Sequence, residues 1–112
     1  MNKQYIIRKN EEIENIVKSG RKTVSKYFII YNKDDTNLYN RYCISVSKKL
    51  GHAYLRNKIK RRIKDILMKN KMDLGKKYVI IIRKEAVTAS YEEIKKDLIS
   101  QIKGETNEKN KQ

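Results

Sequence analysis

The chain has 112 residues and a formal net charge of +15, from 28 lysines and arginines against 13 aspartates and glutamates. This length predicts one domain over residues 1–103, followed by a polar tail over residues 104–112 that we expect to be disordered. No apolar run is long enough for a membrane helix, no signal-peptide pattern opens the sequence, and the single Cys43 excludes an internal disulfide, so we expect a cytoplasmic protein that does not bind a membrane.

The first half of the sequence predicts one helix and two strands. Asn10, followed by two glutamates, is typical of a helix N-cap, and Gly20 is a plausible stop, so a helix is expected over residues 11–19. Aromatic and β-branched residues indicate strands over residues 23–32 and 39–47, separated by a polar turn. We expect these two strands to pair as an antiparallel hairpin.

The second half predicts a helix, a strand and a final helix. Gly51 breaks the chain before a helix over residues 52–69, whose apolar residues form one stripe: Leu55, Ile59, Ile63, Ile66 and Leu67. The continuous apolar run 78–82 is typical of a central strand that is buried on both faces. A capping box at 90–93 begins the last helix. The order α-β-β-α-β-α predicts an α+β domain, with helices packed on a single sheet of about four strands.

The helix over residues 52–69 carries much of the positive charge. Residues 56–64 hold six basic side chains and no acidic one. On a helical wheel, one flank of the apolar stripe carries Asn57, Lys60, Arg61 and Lys64, whereas Lys58 and Arg62 fall on the other side. Judged by composition alone, the alternative to a binding site is a solvent-exposed helix face that binds no ligand. A folded cationic surface favours a polyanion, and the narrow, isoleucine-rich apolar face favours nucleic acid over a membrane.

Groups that could perform bond chemistry are few in this sequence. His52 is the only histidine, so no histidine pair is available, and the adjacent Asp34 and Asp35 fall in a predicted turn. The sequence contains no glycine-rich loop of the kind that binds nucleotide phosphates. We therefore expect no catalytic residue in this chain. Tyr27 and Tyr31 are predicted on one face of the first strand, where their rings either stack on unpaired bases or pack in the core.

The stretch from Ile44 to Arg61 closely resembles the bacterial ribonuclease P protein subunit. That family has a strand followed by two lysines, a glycine and an Arg-Asn-Arg-x-Lys-Arg helix, and this sequence has Lys48, Lys49, Gly51 and the run Arg56-Asn57-Lys58-Ile59-Lys60-Arg61. The resemblance extends in order over nearly the whole chain. Two departures are that Lys58 stands where the family usually has arginine, and that Ile13 and Val17 stand where it often has phenylalanine.

The resemblance implies more than composition and spacing do. It implies a fold similar to the second domain of ribosomal protein S5, with a left-handed β-α-β crossover, which departs from the usual right-handed rule. It also implies a protein that binds the ribonuclease P RNA subunit and the 5′ leader of precursor tRNA, while the RNA removes the leader by magnesium-dependent hydrolysis. Magnesium would be held mainly by RNA, with none bound tightly by this chain, and no small-molecule substrate is expected.

Carried over residue by residue, the resemblance implies three sets of site residues. The RNA-binding set is Lys48, Lys49, Arg56, Asn57, Lys58, Lys60, Arg61 and Lys64. The leader-binding cleft would be lined by Ile13, Val17, Tyr27 and Tyr31, and Asn57 matches a position that is linked to metal binding. The alternatives are a generic RNA-binding or ribosome-associated protein and a self-sufficient nuclease.

Overall fold

The fold is built around a mixed four-stranded sheet in the order β1-β2-β4-β3. The computed structural model describes the backbone of residues 1–111 and the side chains of residues 1–103. The strands are β1 (Arg21–Val24), β2 (Phe28–Asp34), β3 (Arg41–Ser45) and β4 (Lys76–Ile82). The helices are α1 (Asn10–Ser19), α2 (Ala53–Lys69) and α3 (Tyr91–Lys111), with short 3-10 turns at Lys3–Tyr5, Lys48–Leu50 and Lys84–Ala86. The side chains of the predicted polar tail, 104–112, lie outside the described residues.

The predicted hairpin between the strands over residues 23–32 and 39–47, which correspond to β2 and β3, is wrong. β4 lies between them, antiparallel to β2 and parallel to β3. The continuous apolar run of β4 explains this, since such a strand is most stable in the centre of a sheet with both faces covered. The predicted first strand is instead two strands, β1 and β2, which form their own hairpin. Ser25 makes this turn: its backbone N–H donates to the Phe28 carbonyl at 2.8 Å, and its hydroxyl accepts from the Phe28 N–H at 3.2 Å.

Helices cover both faces of the sheet. On one face the sheet packs against α2 and α3 in the main core, whose largest fully buried side chains include Phe28, Ile30, Ile59, Ile63, Ile66, Tyr78, Ile80, Ile94 and Leu98. On the other face, which we call the α1 face, Ile16 and Val79 are buried with Ile7. The alternation along β4 decides this division, because successive strand residues point to opposite faces. Burial of each isoleucine in these cores stabilises the fold by roughly 1.5–3 kcal/mol.

The predicted α2 is confirmed. It begins at Ala53 after the N-cap His52, whose side chain makes no capping hydrogen bond. Four of the five stripe residues are buried, and Leu55 packs beside them. α1 starts one residue earlier than predicted, with Lys9 rather than Asn10 as its N-cap, and ends before Gly20 as predicted. β3 and β4 are parallel neighbours in the sheet with α2 between them in the chain, so a β-α-β unit is present; its hand stays a prediction.

Asn40 fixes the start of the central strand. Its side chain is buried, its Oδ1 accepts the backbone N–H groups of Leu74 and Lys76 at 3.1 Å each, and its Nδ2 donates to the Met72 carbonyl. One amide therefore satisfies three backbone groups in the loop before β4. This loop ends at Gly75, which has a positive φ of 65°. The buried amide aligns the ends of β3 and β4 and so sets where the parallel pair begins.

Candidate nucleic-acid interface

Four residues that the helical wheel groups together line one shallow concave surface on α2. These are Asn57, Lys60, Arg61 and Lys64, and Tyr54 lies beside them. Their spacings of three and four residues place them on one side of the helix. Lys58 is exposed but does not line this surface. We call the surface formed by Tyr54, Asn57, Lys60, Arg61 and Lys64 the basic flank. It concentrates three cations without an acidic residue, which is the arrangement that attracts phosphates.

The segment before α2 adds two further cations next to the helix. Lys48 and Lys49 are exposed in the short turn Lys48–Leu50, and the Ser47 hydroxyl caps this turn by accepting the Lys49 N–H at 3.2 Å. Gly51 follows with φ 144° and ψ −168°, a conformation that is essentially restricted to glycine. Arg56 Nε donates to the Gly51 carbonyl at 3.2 Å. Arg56 therefore holds the turn against the helix as well as adding charge.

Tyr54 is the residue of the basic flank that the sequence interpretation missed. Its side chain is 74% exposed at the first turn of α2. The signal was present in the spacing, since Tyr54 lies three residues before Asn57 and seven before Arg61, so all three lie on one side of a helix. The interpretation used only charged and amide residues at these positions. The structure adds an aromatic ring to the cationic surface.

Of the predicted leader-binding residues, Ile13 and Tyr31 pack in one cluster on the α1 face, and Val17 follows Ile13 by one turn of α1. Ile13 and Tyr31 are half-buried around Ile16 and Val79, and Val17 is 38% exposed. Lys22 pairs with Tyr31 across the sheet and places its Nζ 5.8 Å from the centre of the tyrosine ring. This part of the sheet surface is partly apolar, with one accessible aromatic ring under a cation.

A second cross-strand row continues the α1 face beyond α1. Val24 pairs with Ile29, Ile29 with Ile81, and Ile81 with Ser45. Val24 is 56% exposed, and Ile29 and Ile81 are half-buried. The sheet therefore presents an open apolar strip beside α1. We call this strip, together with Ile13, Val17 and Tyr31, the α1 cleft.

Tyr27 does not belong to the α1 cleft, and its predicted position beside Tyr31 is wrong. β2 begins at Phe28, so Tyr27 lies in the preceding bend, where it is buried in the main core. Its hydroxyl donates to Glu93 Oε2 at 3.1 Å, and its carbonyl accepts the Arg83 N–H at 2.9 Å. The bend at Lys26 and Tyr27 causes the difference, because Tyr27 then lies outside the alternation that begins with β2 at Phe28. Tyr27 joins α3 to the sheet.

Cys43 on the edge strand β3 is a residue of the α1 face on which a charge of the basic flank acts. Cys43 is half-buried on the α1 face, where burial raises the pKa of its thiol, and the positive charge of Lys60 partly offsets that rise. The two surfaces are therefore coupled electrostatically through Lys60 and Cys43, at the edge of the sheet that β3 forms.

An ionic cluster fastens α1 to the sheet at one end of the cleft. Arg41 on β3 contacts Asp35 through Nε at 2.7 Å and also pairs with Glu12 on α1, while Lys77 Nζ lies 3.4 Å from Glu12 Oε2. The hydrogen bond from Arg41 lowers the pKa of Glu12. Burial opposes ionisation of Asp35, but hydrogen bonds from Arg41 and from the Thr36 N–H outweigh it and lower the pKa of Asp35. These side chains hold the position of α1 rather than offering a reactive group.

The described residues offer little for binding a metal ion. Within residues 1–103 no three side chains of His, Cys, Asp or Glu are grouped so that they could hold one. Asn57 supplies an amide oxygen, but its neighbours in the basic flank are cations and a tyrosine. Magnesium prefers six oxygen ligands in octahedral geometry. Asn57 and its neighbours therefore do not fit a magnesium site made by this protein alone.

Comparisons with known proteins agree on one family. The family model for Ribonuclease P matches residues 1–104. The ribonuclease P protein component of Bacillus cereus strain Q1 is 41% identical over 106 residues, which cover 92% of each chain. The structure of the Staphylococcus aureus RNase P protein is similar with a TM-score of 0.80 and 35% identity, covering 88% of this chain and 93% of that one. The RNase P protein of Thermotoga maritima gives a TM-score of 0.78 and 26% identity, covering 87% and 94%.

Proposed function

The chain belongs to the ribonuclease P protein family, and from this premise we propose that it binds the ribonuclease P RNA subunit and the 5′ leader of precursor tRNA. In this proposal the RNA subunit removes the leader, and the protein improves the binding of the substrate. The observation that carries the proposal is the presence of two different surfaces on one small domain, a cationic helix flank and an open apolar cleft. A protein that served one ligand would need only one of them.

The basic flank is suited to structured RNA. Lys60, Arg61 and Lys64 project from a helix that the buried stripe fixes on the sheet, so their positions relative to one another are set before RNA binds. Lys48, Lys49 and Arg56 extend the charge around the N-terminus of the helix. Contacts from such side chains to phosphates position a protein on RNA without reading its sequence. We assign the RNA subunit to this surface.

The α1 cleft is suited to a single strand. It offers the half-buried ring of Tyr31 and the strip of Val24, Ile29 and Ile81, on which unpaired bases pack, with Lys22 above the ring for the backbone. Aliphatic Ile13 and Val17 replace the aromatic residues that are common in the family, so stacking in this chain rests on Tyr31. We assign the leader to this cleft.

Magnesium and location follow from the same proposal. Because the flank around Asn57 is cationic, an ion there takes most of its ligands from RNA phosphates, with at most one amide oxygen from this chain.

Within the part of the chain that the structure describes, no helix is long and apolar enough to cross a membrane. We propose a cytoplasmic ribonucleoprotein whose partners are the ribonuclease P RNA and precursor tRNA.

Reconstitution tests the proposal. The purified protein is added to a bacterial ribonuclease P RNA and a precursor tRNA at low magnesium, and leader removal is measured. We expect cleavage only when both macromolecules are present. Cleavage by the protein alone would instead identify a nuclease, and no stimulation at any magnesium concentration would leave a generic RNA-binding protein.

A matched pair of variants ties the stimulation to the basic flank. One variant replaces Lys60, Arg61 and Lys64 by alanine, and the other replaces three lysines of α3 by alanine: Lys95, Lys96 and Lys103. Both lose three positive charges, so the net charge of the two proteins is equal. We expect the first variant to lose stimulation and the second to retain it. Equal loss in both would show that total charge, rather than this surface, is responsible.

A further inference from the structure

Tyr54 stands apart from the other tyrosines of the chain. Seven of the eight tyrosines have a partner for the ring or the hydroxyl among residues 1–103. Tyr5 packs on Tyr39 and Tyr42 on Tyr78, while Tyr27, Tyr31 and Tyr91 contact Glu93, Lys22 and Asp65. Tyr54 has none in this part of the chain, and its side chain is 74% exposed.

Folding does not account for a tyrosine at this position. The side chain buries little surface, and tyrosine has a lower helix propensity than alanine or leucine. Single exposed apolar residues are common on protein surfaces and carry no meaning by themselves. Tyr54 differs because it shares one concave surface with Asn57, Lys60, Arg61 and Lys64. From Tyr54 to Lys64 the helix rises about 15 Å, so a ring lies at one end of a row of phosphate-binding side chains.

The chemistry of this row favours one class of ligand. Lysine and arginine bind phosphates, and an uncovered aromatic ring binds the flat face of a base. Lysine ammonium groups lie over the rings of Tyr5, Tyr27 and Tyr31. Among the described residues, no lysine or arginine lies over the ring of Tyr54, so both of its faces are open to a ligand. A paired base in an RNA helix is stacked on both sides by its neighbours and offers no free face. The ligand must therefore present a base outside the stack.

We propose that Tyr54 is the stacking platform for an unpaired nucleobase of the bound RNA, whose neighbouring phosphates contact Lys60, Arg61 and Lys64. The inference rests on the proposed function, in which the basic flank binds RNA, and it specifies that the RNA has a bulged or looped nucleotide at this contact. The surface is then selective for an RNA shape. Charge alone gives no such selectivity.

Three RNA hairpins with the same stem test the inference. The first carries one bulged 2-aminopurine, the second an abasic residue at the same place, and the third no bulge. We expect the protein to bind the first at least about 5-fold more tightly than the second, the low end of what stacking by one base provides. Stacking on the ring will also quench the 2-aminopurine fluorescence. Equal affinity of the protein for the first and second hairpins would overturn the inference.

Variants assign the effect to the ring. Tyr54→Ala is expected to lose the preference for the base over the abasic residue, with an unchanged salt dependence, and Tyr54→Phe is expected to retain it. Leu38→Ala is the control, because Leu38 is an 87% exposed apolar side chain outside the basic flank. Thermal unfolding checks that each variant is folded. A preference that survives in Tyr54→Ala would also overturn the inference.

The reconstitution assay separates this inference from the proposed function. A protein that stimulates leader removal but shows no preference for the bulged base refutes the role of Tyr54 alone. A protein that shows a Tyr54-dependent preference without any stimulation refutes the proposed function, and the stacking platform then belongs to a different RNA-binding protein.

Discussion

Arg41 on β3 and Glu12 on α1 form the ion pair that fastens the first helix to the sheet. Asp35 lies on the other side of the same guanidinium group, with its side chain 5% exposed and only 2.7 Å from Arg41 Nε. The guanidinium thus joins a strand, a helix and a turn. Because α1 carries Ile13 and Val17, this pair helps to hold these side chains of the α1 cleft against the sheet.

Arg41→Met is expected to destabilise the fold by about 3 kcal/mol, since it leaves two partly buried carboxylates without their main partner. The value is at the low end for buried pairs because Arg41 and Glu12 keep 18% and 21% of their side-chain surface exposed. Urea unfolding measures the change. Lys18→Met, an exposed position on the same helix, is the control and should change stability by less than about 0.5 kcal/mol. Equal effects of the two substitutions would contradict a structural role for the pair.

The same cluster predicts how stability depends on pH. The pKa values of Glu12 and Asp35 lie below their ordinary values of 4.5 and 3.8, so the folded protein takes up these protons at lower pH than the unfolded chain does. Their contribution is therefore complete above about pH 5, and it is lost as the pH falls through the folded-state values. We expect Glu12→Gln to flatten the loss of stability between about pH 5 and pH 3, as measured by urea unfolding. Glu14→Gln, exposed on the same helix, should leave the profile unchanged; parallel profiles for the two variants would refute the assignment.

The elements that the sequence predicted well are those whose signal is local. The stripe from Leu55 to Leu67 and the run from Tyr78 to Ile82 each contain a complete periodic pattern, and α2 and β4 follow them closely. The basic flank was predictable for the same reason, because a helical wheel needs no knowledge of other elements.

The features that the sequence did not reveal depend on distant parts of the chain. The pairing of β2 with β4 brings together residues about fifty positions apart, and the nearer β3 offered a competing partner. Arg41 and Glu12 are 29 residues apart, and the helix-start pattern that contains Glu12 does not indicate its pairing with Arg41. Tyr27 and Tyr31 follow the alternation of a strand in the sequence, but Tyr27 lies in the bend before β2 and Tyr31 lies within β2. Tyr54 is different, because its place on the basic flank follows from its spacing to Asn57 and Arg61 and needed no distant residue.

The salt dependence of RNA binding is expected to identify the side chains that bind phosphates. Replacing Lys60, Arg61 or Lys64 by alanine should reduce the slope of log K against log salt concentration by about 0.7–0.9 for each phosphate that the variant no longer neutralises. Lys96→Ala on α3 should leave the slope unchanged. Arg56→Ala should reduce the slope and also lower stability by about 1 kcal/mol, because the Arg56 side chain also donates to the Gly51 carbonyl. An unchanged slope in the variants of the basic flank would show that it does not face RNA.

Tyr31 and Tyr27 are expected to give opposite phenotypes. Tyr31→Ala should weaken binding of leader-bearing precursor more than that of mature tRNA, because only the precursor places bases in the α1 cleft. Tyr27→Ala should lower the free energy of unfolding by about 3 kcal/mol, since it removes a buried ring and the hydrogen bond to Glu93, and should not change the preference for precursor in protein that remains folded. Equilibrium binding to both tRNAs and urea unfolding measure the two effects. Equal weakening of both tRNAs by Tyr31→Ala would assign Tyr31 to packing.

Gly51→Ala is expected to reduce both stability and RNA affinity. At φ 144° and ψ −168° an alanine is strained by about 1–3 kcal/mol, and its Cβ would lie 2.7 Å from Leu55 Cδ2. Relief of that strain moves the turn that carries Lys48 and Lys49, together with the carbonyl that receives the Arg56 Nε hydrogen bond. Urea unfolding measures the first effect, and RNA binding at a temperature where the variant is fully folded measures the second. If affinity is unchanged while stability falls, Lys48 and Lys49 do not contact RNA, and the turn serves only to begin α2.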